Sequence, residues 1–280
     1  MNEIQQKILD IFIEIDKVCV KHNLRYYAIG GTCLGAVRHK GFISWDDDID
    51  IAMPDKDFKK FMVAAQKELP ESLALITLES TEHRGFLCAK VHDVNTTFIE
   101  SHMKEYKEEY SGIFVDIMPL YGIPENKVKK KLFISIVVML LKLNYKRQLA
   151  YSKRWSVAGK MLWITMRPVN CMVHYDFYIK IWKKLVEKYD FDAARYTGYL
   201  WSTKIREKDL IFEKAWFDHY VELPFENIKM RCPCNWNEYL IKQFGDYMQL
   251  PPEDQRTNHG NGAIIDLYQS YKVYQQEMPN

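Results

Sequence analysis

The stretch YYAIGGTCLGAVRHKGFISWDDDIDIAM, residues 26–53, decides the fold. It opens with a short apolar run, Tyr26 to Ile29, which has the length and aromatic content of a buried strand. The glycine pair Gly30-Gly31 follows at once, and paired glycines let the backbone approach a ligand closely. The residues from Thr32 to Arg38 tolerate a helix, so we predict a strand, a tight turn and a short helix in that order.

The second half of the stretch holds the acidic run WDDDIDI, residues 45–51. Acidic and aliphatic residues alternate over its last four positions. Because alternate residues of a strand share a face, Asp48 and Asp50 are expected to lie together about 6–7 Å apart. Ile49 and Ile51 then face the core. An acidic run is otherwise typical of a solvated loop, but the glycine turn before it and Pro54 after it favour a strand.

These acids predict a metal site. Two carboxylates on one sheet face repel each other unless a cation lies between them, and oxygen ligands on a rigid element suit Mg²⁺ or Mn²⁺. A third acid, Asp116, lies in the apolar run GIFVDIMP, residues 112–119, where an unpaired carboxylate would be costly. We therefore predict that Asp48, Asp50 and Asp116 hold the metal. The alternative for Asp116 is a hydrogen bond to a helix end.

The stretch resembles the signature of the LicD family, whose eukaryotic relatives include fukutin and fukutin-related protein. The family pattern, GGT-x-LG-x-x-R followed by W-D-x-D-x-D, is matched by Gly30, Gly31, Thr32, Leu34, Gly35, Arg38, Trp45, Asp46, Asp48 and Asp50. The resemblance implies an α+β fold, a nucleotidyltransferase-like mixed sheet flanked by helices, here with an added basic helical region. It also implies transfer of a substituted phosphate, phosphocholine first among the candidates, from a CDP-linked donor to a lipid-linked or cell-surface glycan with release of CMP.

The resemblance also suggests roles for individual residues. The substrate-binding residues that it implies are Gly30, Gly31, Thr32, Arg38, Asp46, Lys90, Arg256 and His259. The first four would contact donor phosphates, and Asp46 would orient the metal shell. Lys90 could instead be a lysine that reaches solvent at a strand edge. Arg256 and His259 could instead be ordinary surface-loop residues. Asp116 is the candidate general base, because a third acid can both bind the metal and accept a proton.

Two other classes of function stay open. With the same acids, the protein could be a nucleotidyltransferase that transfers a nucleoside monophosphate and releases pyrophosphate. It could instead be a non-catalytic protein in which the acids form a structural calcium site, although calcium usually takes six to eight oxygen ligands. The released product separates the first two classes.

Composition places few further limits on function. A chain of 280 residues with net charge +2 can bury a sizeable core, and its six cysteines include no paired C-x-x-C motifs of the kind that bind zinc. Apolar residues recur at helical spacing in Ile4, Ile8, Ile11, Ile15 and Val18, which predicts an N-terminal helix. Acidic residues interrupt this segment, so we expect no signal peptide and a cytoplasmic protein.

The segment from residue 126 to 175 differs sharply from the rest. It holds eleven Lys and Arg residues and no acid, and its apolar run Leu132 to Leu141 is half the length that crosses a bilayer. We expect a helix lying peripherally on an anionic membrane, with Leu132, Phe133, Ile136 and Leu140 facing the lipid. A helix buried between lobes is the alternative. Nucleic acid could also match this composition but is not an expected partner. The predicted regions are 1–125, a catalytic core; 126–190, basic and helical; and 191–280, which completes the substrate pocket.

Overall fold

The computed structural model of the chain describes residues 1–77, 88–104, 106–148, 157, 159–161, 164–165, 177–200, 210–256 and 263–277. The helices are α1 (Glu3–Lys21), α2 (Gly30–Leu34), which continues as one π-helical turn (Gly35–His39), α3 (Asp55–Glu68), α4 (Lys127–Gln148), α5 (Phe177–Val186), α6 (Trp236–Phe244) and α7 (Tyr271–Glu277). The strands are β1 (Tyr27–Ala28), β2 (Asp50–Pro54), β3 (Leu73–Ile76), β4 (Ala89–Asp93), β5 (Thr97–Ile99), β6 (Phe114–Ile123), β7 (Tyr196–Gly198), β8 (Ile211–Glu213), β9 (Tyr220–Phe225), β10 (Ile228–Pro233) and β11 (Ile264–Asp266).

A mixed sheet forms the centre of the described part of the chain. Its strands lie in the order β1-β2-β6-β4-β3, and β7 and β8 extend it from the far end of β6. Strands β2 and β6 are parallel, whereas the other neighbours in the sheet are antiparallel. Two small antiparallel pairs, β9-β10 and β5-β11, lie outside it. The predicted α+β fold, a mixed sheet flanked by helices, is confirmed.

The N-terminal helix is the one that the apolar spacing predicts. Asn2 and Gln5 cap each other reciprocally at its start, which satisfies two backbone N–H groups that a helix otherwise leaves without partners. The helix ends at Lys21, and Asn23 takes a left-handed backbone conformation with φ of 51°. Its apolar side is buried in the main hydrophobic core together with the sheet and α3. Helix α1 therefore covers the face of the sheet that lies opposite the acidic residues.

The basic segment forms α4, but part of its apolar side faces the protein. Phe133 and Leu140, which we expected to face a membrane, are buried, and Ile136 packs partly against the same cluster. This second hydrophobic cluster consists of Tyr121, Ile123, Phe133, Val137, Leu140, Leu141, Tyr178, Ile179, Trp182, Val186, Leu200 and Ile211. The sequence interpretation failed here because the run Leu132 to Leu141 is apolar on nearly every side, so it does not mark which side α5 covers. Leu132 is 60% exposed.

No helix in the described ranges is long and apolar enough to cross a membrane. Strand β6 contributes to both hydrophobic clusters: Val115 and Ile117 lie in the main core, and Tyr121 and Ile123 lie in the second. Helices α4 and α5 are therefore attached to the sheet through the second half of this strand. Thr197 of β7 reinforces the pairing of β7 with β6, because its hydroxyl donates to the carbonyl oxygen of Tyr121 at 3.0 Å.

The packing of α4 predicts a large loss of stability for one substitution and almost none for a substitution at the adjacent residue. Phe133→Ala should lower the free energy of unfolding by about 3 kcal/mol or more, because it opens a cavity in the second cluster. Leu132→Ala, on the other side of the helix, should change it by less than about 0.5 kcal/mol. Urea denaturation monitored by circular dichroism measures both. Equal losses for the two variants would contradict the orientation of α4.

Candidate active site

The parallel pairing of β2 and β6 brings two of the predicted acids together. Asp50 lies directly across from Asp116 in the register of these strands, so both side chains share one face of the sheet. The Asp116 N–H donates to the carbonyl oxygen of Ile49 at 3.1 Å, and the Asp50 N–H donates to Thr32 Oγ1 at 2.8 Å. Hydrogen bonds to the backbone N–H groups of both acids thus fix their positions along the strands.

The alternation predicted around Asp50 is present, although the strand is shorter than expected. Strand β2 begins at Asp50, so Asp48 lies two residues before it in a segment without regular secondary structure. Ile49 and Ile51 are fully buried, whereas Asp48 and Asp50 are partly exposed on the other side. Asp47 is buried, and only 7% of its surface is exposed.

The acids line two neighbouring cavities. The larger, of about 670 Å³, is lined by Gly31, Leu34, Arg38, Ile43, Trp45, Asp46, Asp48, Asp50, Phe244, Asp246, Tyr247, Gln249, Leu250, Pro251, Pro252 and Gln255, and we call it the acidic cleft. A small cavity of about 50 Å³ is bordered by four acids, Asp47, Asp48, Glu100 and Asp116. Asp48 therefore lies between the two. The volume of the acidic cleft falls in the usual range of small-molecule sites.

Burial and mutual repulsion disfavour charge on these acids. The pKa of Asp50 is raised to about 8, mainly by burial and then by the neighbouring carboxylates of Asp116 and Asp46, while Lys90 acts in the opposite direction. Burial likewise raises the pKa of Asp48 well above its usual value, with Asp50 the largest charged contributor. The cluster is therefore a place where a cation, or a bound proton, would relieve repulsion.

Lys90 is a buried member of this cluster. Only 3% of its surface is exposed, and its Nζ lies 3.4 Å from Asp116 Oδ1 and 3.5 Å from Glu100 Oε2. The same ammonium lies 3.4 Å from the centre of the Phe114 ring, a cation–π contact. The solvent-reaching alternative for Lys90 is thus wrong. Sequence reasoning missed Glu100, because it begins a charged stretch that looks solvated. The short apolar run Thr97 to Ile99 just before it was the available signal.

The glycine turn is built for close packing. Gly30 has a left-handed φ of 53°, and its N–H donates to the Tyr239 hydroxyl at 2.8 Å. A Cβ at Gly31 would collide with Asp46 Oδ2. Thr32 is buried and its hydroxyl oxygen already accepts from Asp50. The Gly30 N–H and the Thr32 oxygen therefore hold the site together, and contact of this turn with donor phosphates stays a prediction.

The C-terminal residues fold over the signature. Arg38 Nη1 donates to the carbonyl oxygen of Tyr247 at 2.6 Å, and burial lowers the pKa of this arginine. The Arg256 guanidinium lies 5.1 Å from the centre of the Trp45 ring, while its Nε donates to the carbonyl oxygen of Pro251 at 3.0 Å. These contacts place Arg256 beside the acidic cleft. His259, the other predicted residue here, lies outside the described residues.

Two C-terminal tyrosines belong to the site although the sequence assigned them no role. The hydroxyl groups of Tyr239 and Tyr199 are 2.7 Å apart in the core, and Tyr239 receives the Gly30 N–H described above. Both tyrosines are buried, and they link the glycine turn to α6 and β7.

Repulsion in the cluster predicts that removing one charge stabilises the metal-free protein. A carboxyl group whose pKa is raised in the folded state costs stability as pH rises from its unfolded value near 4 to its folded value, about 8 for Asp50. In EDTA at pH 8.5, Asp50→Asn should therefore unfold at least about 3 °C above the unsubstituted protein, and the gap should shrink at pH 4. Differential scanning fluorimetry measures it. A lower melting temperature at pH 8.5 would contradict the repulsion.

Comparison of the sequence with known proteins identifies the family to which the chain belongs. Residues 23–137 match the model of the LicD/FKTN/FKRP nucleotidyltransferase domain. The chain is 30% identical over 274 residues to the lipopolysaccharide cholinephosphotransferase LicD of Haemophilus influenzae, covering 95% of this chain and 98% of that relative. It is also 30% identical over 118 residues to an uncharacterised protein of Rickettsia prowazekii, covering 40% of this chain and 42% of that protein. The chain belongs to the LicD family.

Proposed function

We propose that this protein transfers phosphocholine from a CDP-linked donor to a sugar hydroxyl of a cell-surface glycan and releases CMP. The observation that carries the proposal is that the acids of the signature line one cleft in a chain similar over nearly its full length to a cholinephosphotransferase. The cleft is also lined by Trp45, Phe244 and Tyr247. Aromatic faces together with carboxylates suit a quaternary ammonium group.

Asp48, Asp50 and Asp116 are the residues that would hold Mg²⁺ or Mn²⁺. In the described part of the chain, no three His, Cys, Asp or Glu side chains already stand in a metal-holding arrangement. The donor set nevertheless fits the ion, because carboxylate oxygens are its preferred ligands and the raised pKa of Asp50 reflects repulsion that a cation would offset. Bound there, a divalent cation would neutralise charge on the donor phosphates.

The transfer itself asks the protein mainly to position and neutralise charge. The acceptor oxygen attacks the phosphorus that carries choline, and the bond from that phosphorus to the bridging oxygen breaks, so that CMP leaves with the oxygen. The proton of the acceptor hydroxyl goes to a carboxylate, for which Asp116 is our candidate. Lys90 holds this carboxylate in place from 3.4 Å, and Arg38 and Arg256 supply positive charge at the edge of the cleft.

A nucleotidyltransferase reaction is the second candidate, because the matching family model is described as a nucleotidyltransferase domain. That reaction would attach the nucleoside monophosphate to an acceptor. Its other product, pyrophosphate or a substituted phosphate, depends on the donor. With CDP-choline as donor, the proposed reaction releases CMP, whereas nucleotidyl transfer would release phosphocholine.

Product analysis tests the proposal directly. The protein is incubated with Mg²⁺, CDP-choline and a purified lipopolysaccharide acceptor, and the products are separated by mass. We expect CMP and a glycan heavier by one phosphocholine, with turnover at least about 100-fold lower in Asp48→Asn and Asp50→Asn. Repeating the assay with CDP-linked polyols examines the head group. Free phosphocholine with a nucleotidylated acceptor would support the second candidate instead.

Asp47→Asn is the matched control for these variants. It removes a neighbouring carboxylate of the same run, and Asp47 borders the small cavity but does not line the acidic cleft. Its effect on turnover should be much smaller. Circular dichroism confirms that each variant is folded, since Asp47 is buried. A loss in Asp47→Asn as large as that in Asp50→Asn would contradict the assigned face.

Metal dependence gives a separate prediction. Activity should be lost in EDTA and restored by Mg²⁺ or Mn²⁺, whereas Zn²⁺ should not be required, because the three proposed ligands are all carboxylates. Isothermal titration of the metal-free protein with Mn²⁺ should show binding that Asp50→Asn weakens about tenfold or more. Full activity in EDTA, or tightly bound zinc in the purified protein, would contradict this assignment.

A further inference from the structure

One side of α4 exposes large apolar residues to solvent. Val128, Leu132 and Met139 have 77%, 60% and 51% of their surface exposed. They are four and seven residues apart, so they form one stripe along the helix. The buried residues Phe133 and Val137 lie on the other side of the helix, where α5 covers them. Exposed apolar residues in a row mark a surface that meets another apolar phase or partner.

Positive charge accompanies this stripe. Lys127, Lys131 and Lys142 are exposed, and helical geometry places Lys131 and Lys142 on the same side as the stripe. No acidic residue occurs between residues 126 and 175, so the segment contains no carboxylate that could neutralise these lysines. Lys130 is different, because its Nζ lies 4.3 Å from the centre of the Tyr196 ring and thus points towards the protein.

We propose that this side of α4, which we call the basic face, binds the surface of an anionic lipid bilayer. The helix would lie parallel to the membrane, with Val128, Leu132 and Met139 at the boundary between headgroups and acyl chains and the lysines against lipid phosphates. From Val128 to Met139 the stripe covers about 16 Å of helix axis. Residues Val157, Met161 and Ile164, farther along the basic segment, are also more than half exposed.

The chemistry of the basic face favours lipid over other partners. Its apolar residues are aliphatic, and aliphatic side chains insert between acyl chains but give nucleic-acid bases no aromatic ring on which to stack. A second copy of the same face would bring lysine against lysine and repel. The proposal concerns where the protein lies and does not depend on the reaction proposed above.

Vesicle co-sedimentation tests the proposal with the full chain. The vesicles contain phosphatidylcholine alone or phosphatidylcholine mixed with phosphatidylglycerol. We expect binding to the anionic vesicles, weak binding to the neutral ones, and release at high salt, since the Debye length falls from roughly 10 Å at 0.1 M to 3 Å at 1 M. The combined substitution of Lys127, Lys131 and Lys142 by Glu should weaken binding to anionic vesicles at least about tenfold.

Matched variants separate the basic face from overall charge and apolarity. The control variant combines Lys60→Glu, Lys67→Glu and Lys272→Glu, at lysines that are exposed on other helices. It makes the same change in net charge and should leave vesicle binding nearly unchanged. Leu132→Gln with Met139→Gln should weaken binding, whereas Val20→Gln with Val63→Gln should not, although those valines are 57% and 59% exposed.

Several outcomes would overturn the proposal. They are the absence of binding to anionic vesicles, equal binding to neutral vesicles, and equal losses from the control lysine variants. Preferential binding to single-stranded RNA in a competition assay would assign the face to nucleic acid. A dimer in sedimentation velocity that Leu132→Gln dissociates would assign it to a second copy. Because vesicle binding needs no donor or acceptor, failure here leaves the proposed reaction untouched, and the reverse also holds.

Discussion

The arrangement of the candidate active site depends on the parallel pairing of β2 with β6, because this pairing places Asp50 and Asp116 side by side. Such a pair is unfavourable by itself, since each carboxylate raises the cost of charging the other. The rest of the sheet makes it possible. Fully buried isoleucine and valine residues flank the acids on both strands, and α1 and α3 cover that other face. Apolar burial on one face therefore holds the repelling acids on the other.

The surroundings of the acids limit this repulsion without removing it. Lys90, directly opposite Asp116 in the antiparallel pairing of β4 with β6, brings one buried ammonium to the cluster. Glu100 adds a second carboxylate 3.5 Å from that ammonium. One positive charge thus faces several negative ones, so Lys90 offsets only part of the repulsion in the cluster. The Thr32 hydroxyl and the Tyr239 hydroxyl meanwhile tie the glycine turn to β2 and α6, which fixes the wall of the cleft.

Local patterns carried most of what could be predicted. Alternation of acids and isoleucines predicted the faces of Asp48 and Asp50, and helical spacing predicted α1, because both depend on neighbours in the chain. Contacts between distant segments were beyond such patterns. Glu100 meets Lys90 and Gly30 meets Tyr239 through the fold, and neither pair is marked by spacing. Phe133 was assigned to the wrong environment for the same reason: an apolar run does not reveal which side a later helix covers.

The basic segment and the signature acids carry opposite charges, and the fold attaches them to different parts of the sheet. A net charge of +2 hides eleven positive charges in residues 126–175 and an excess of negative charge elsewhere, including the signature acids. If the lysines of α4 reached the acidic cleft, they would pair with its carboxylates and compete with a bound cation. The second hydrophobic cluster prevents this, because it attaches α4 to the far half of β6, several residues beyond Asp116. Burial of Phe133, Val137 and Leu140 thus leaves Lys127, Lys131 and Lys142 exposed to solvent on the other side of the helix.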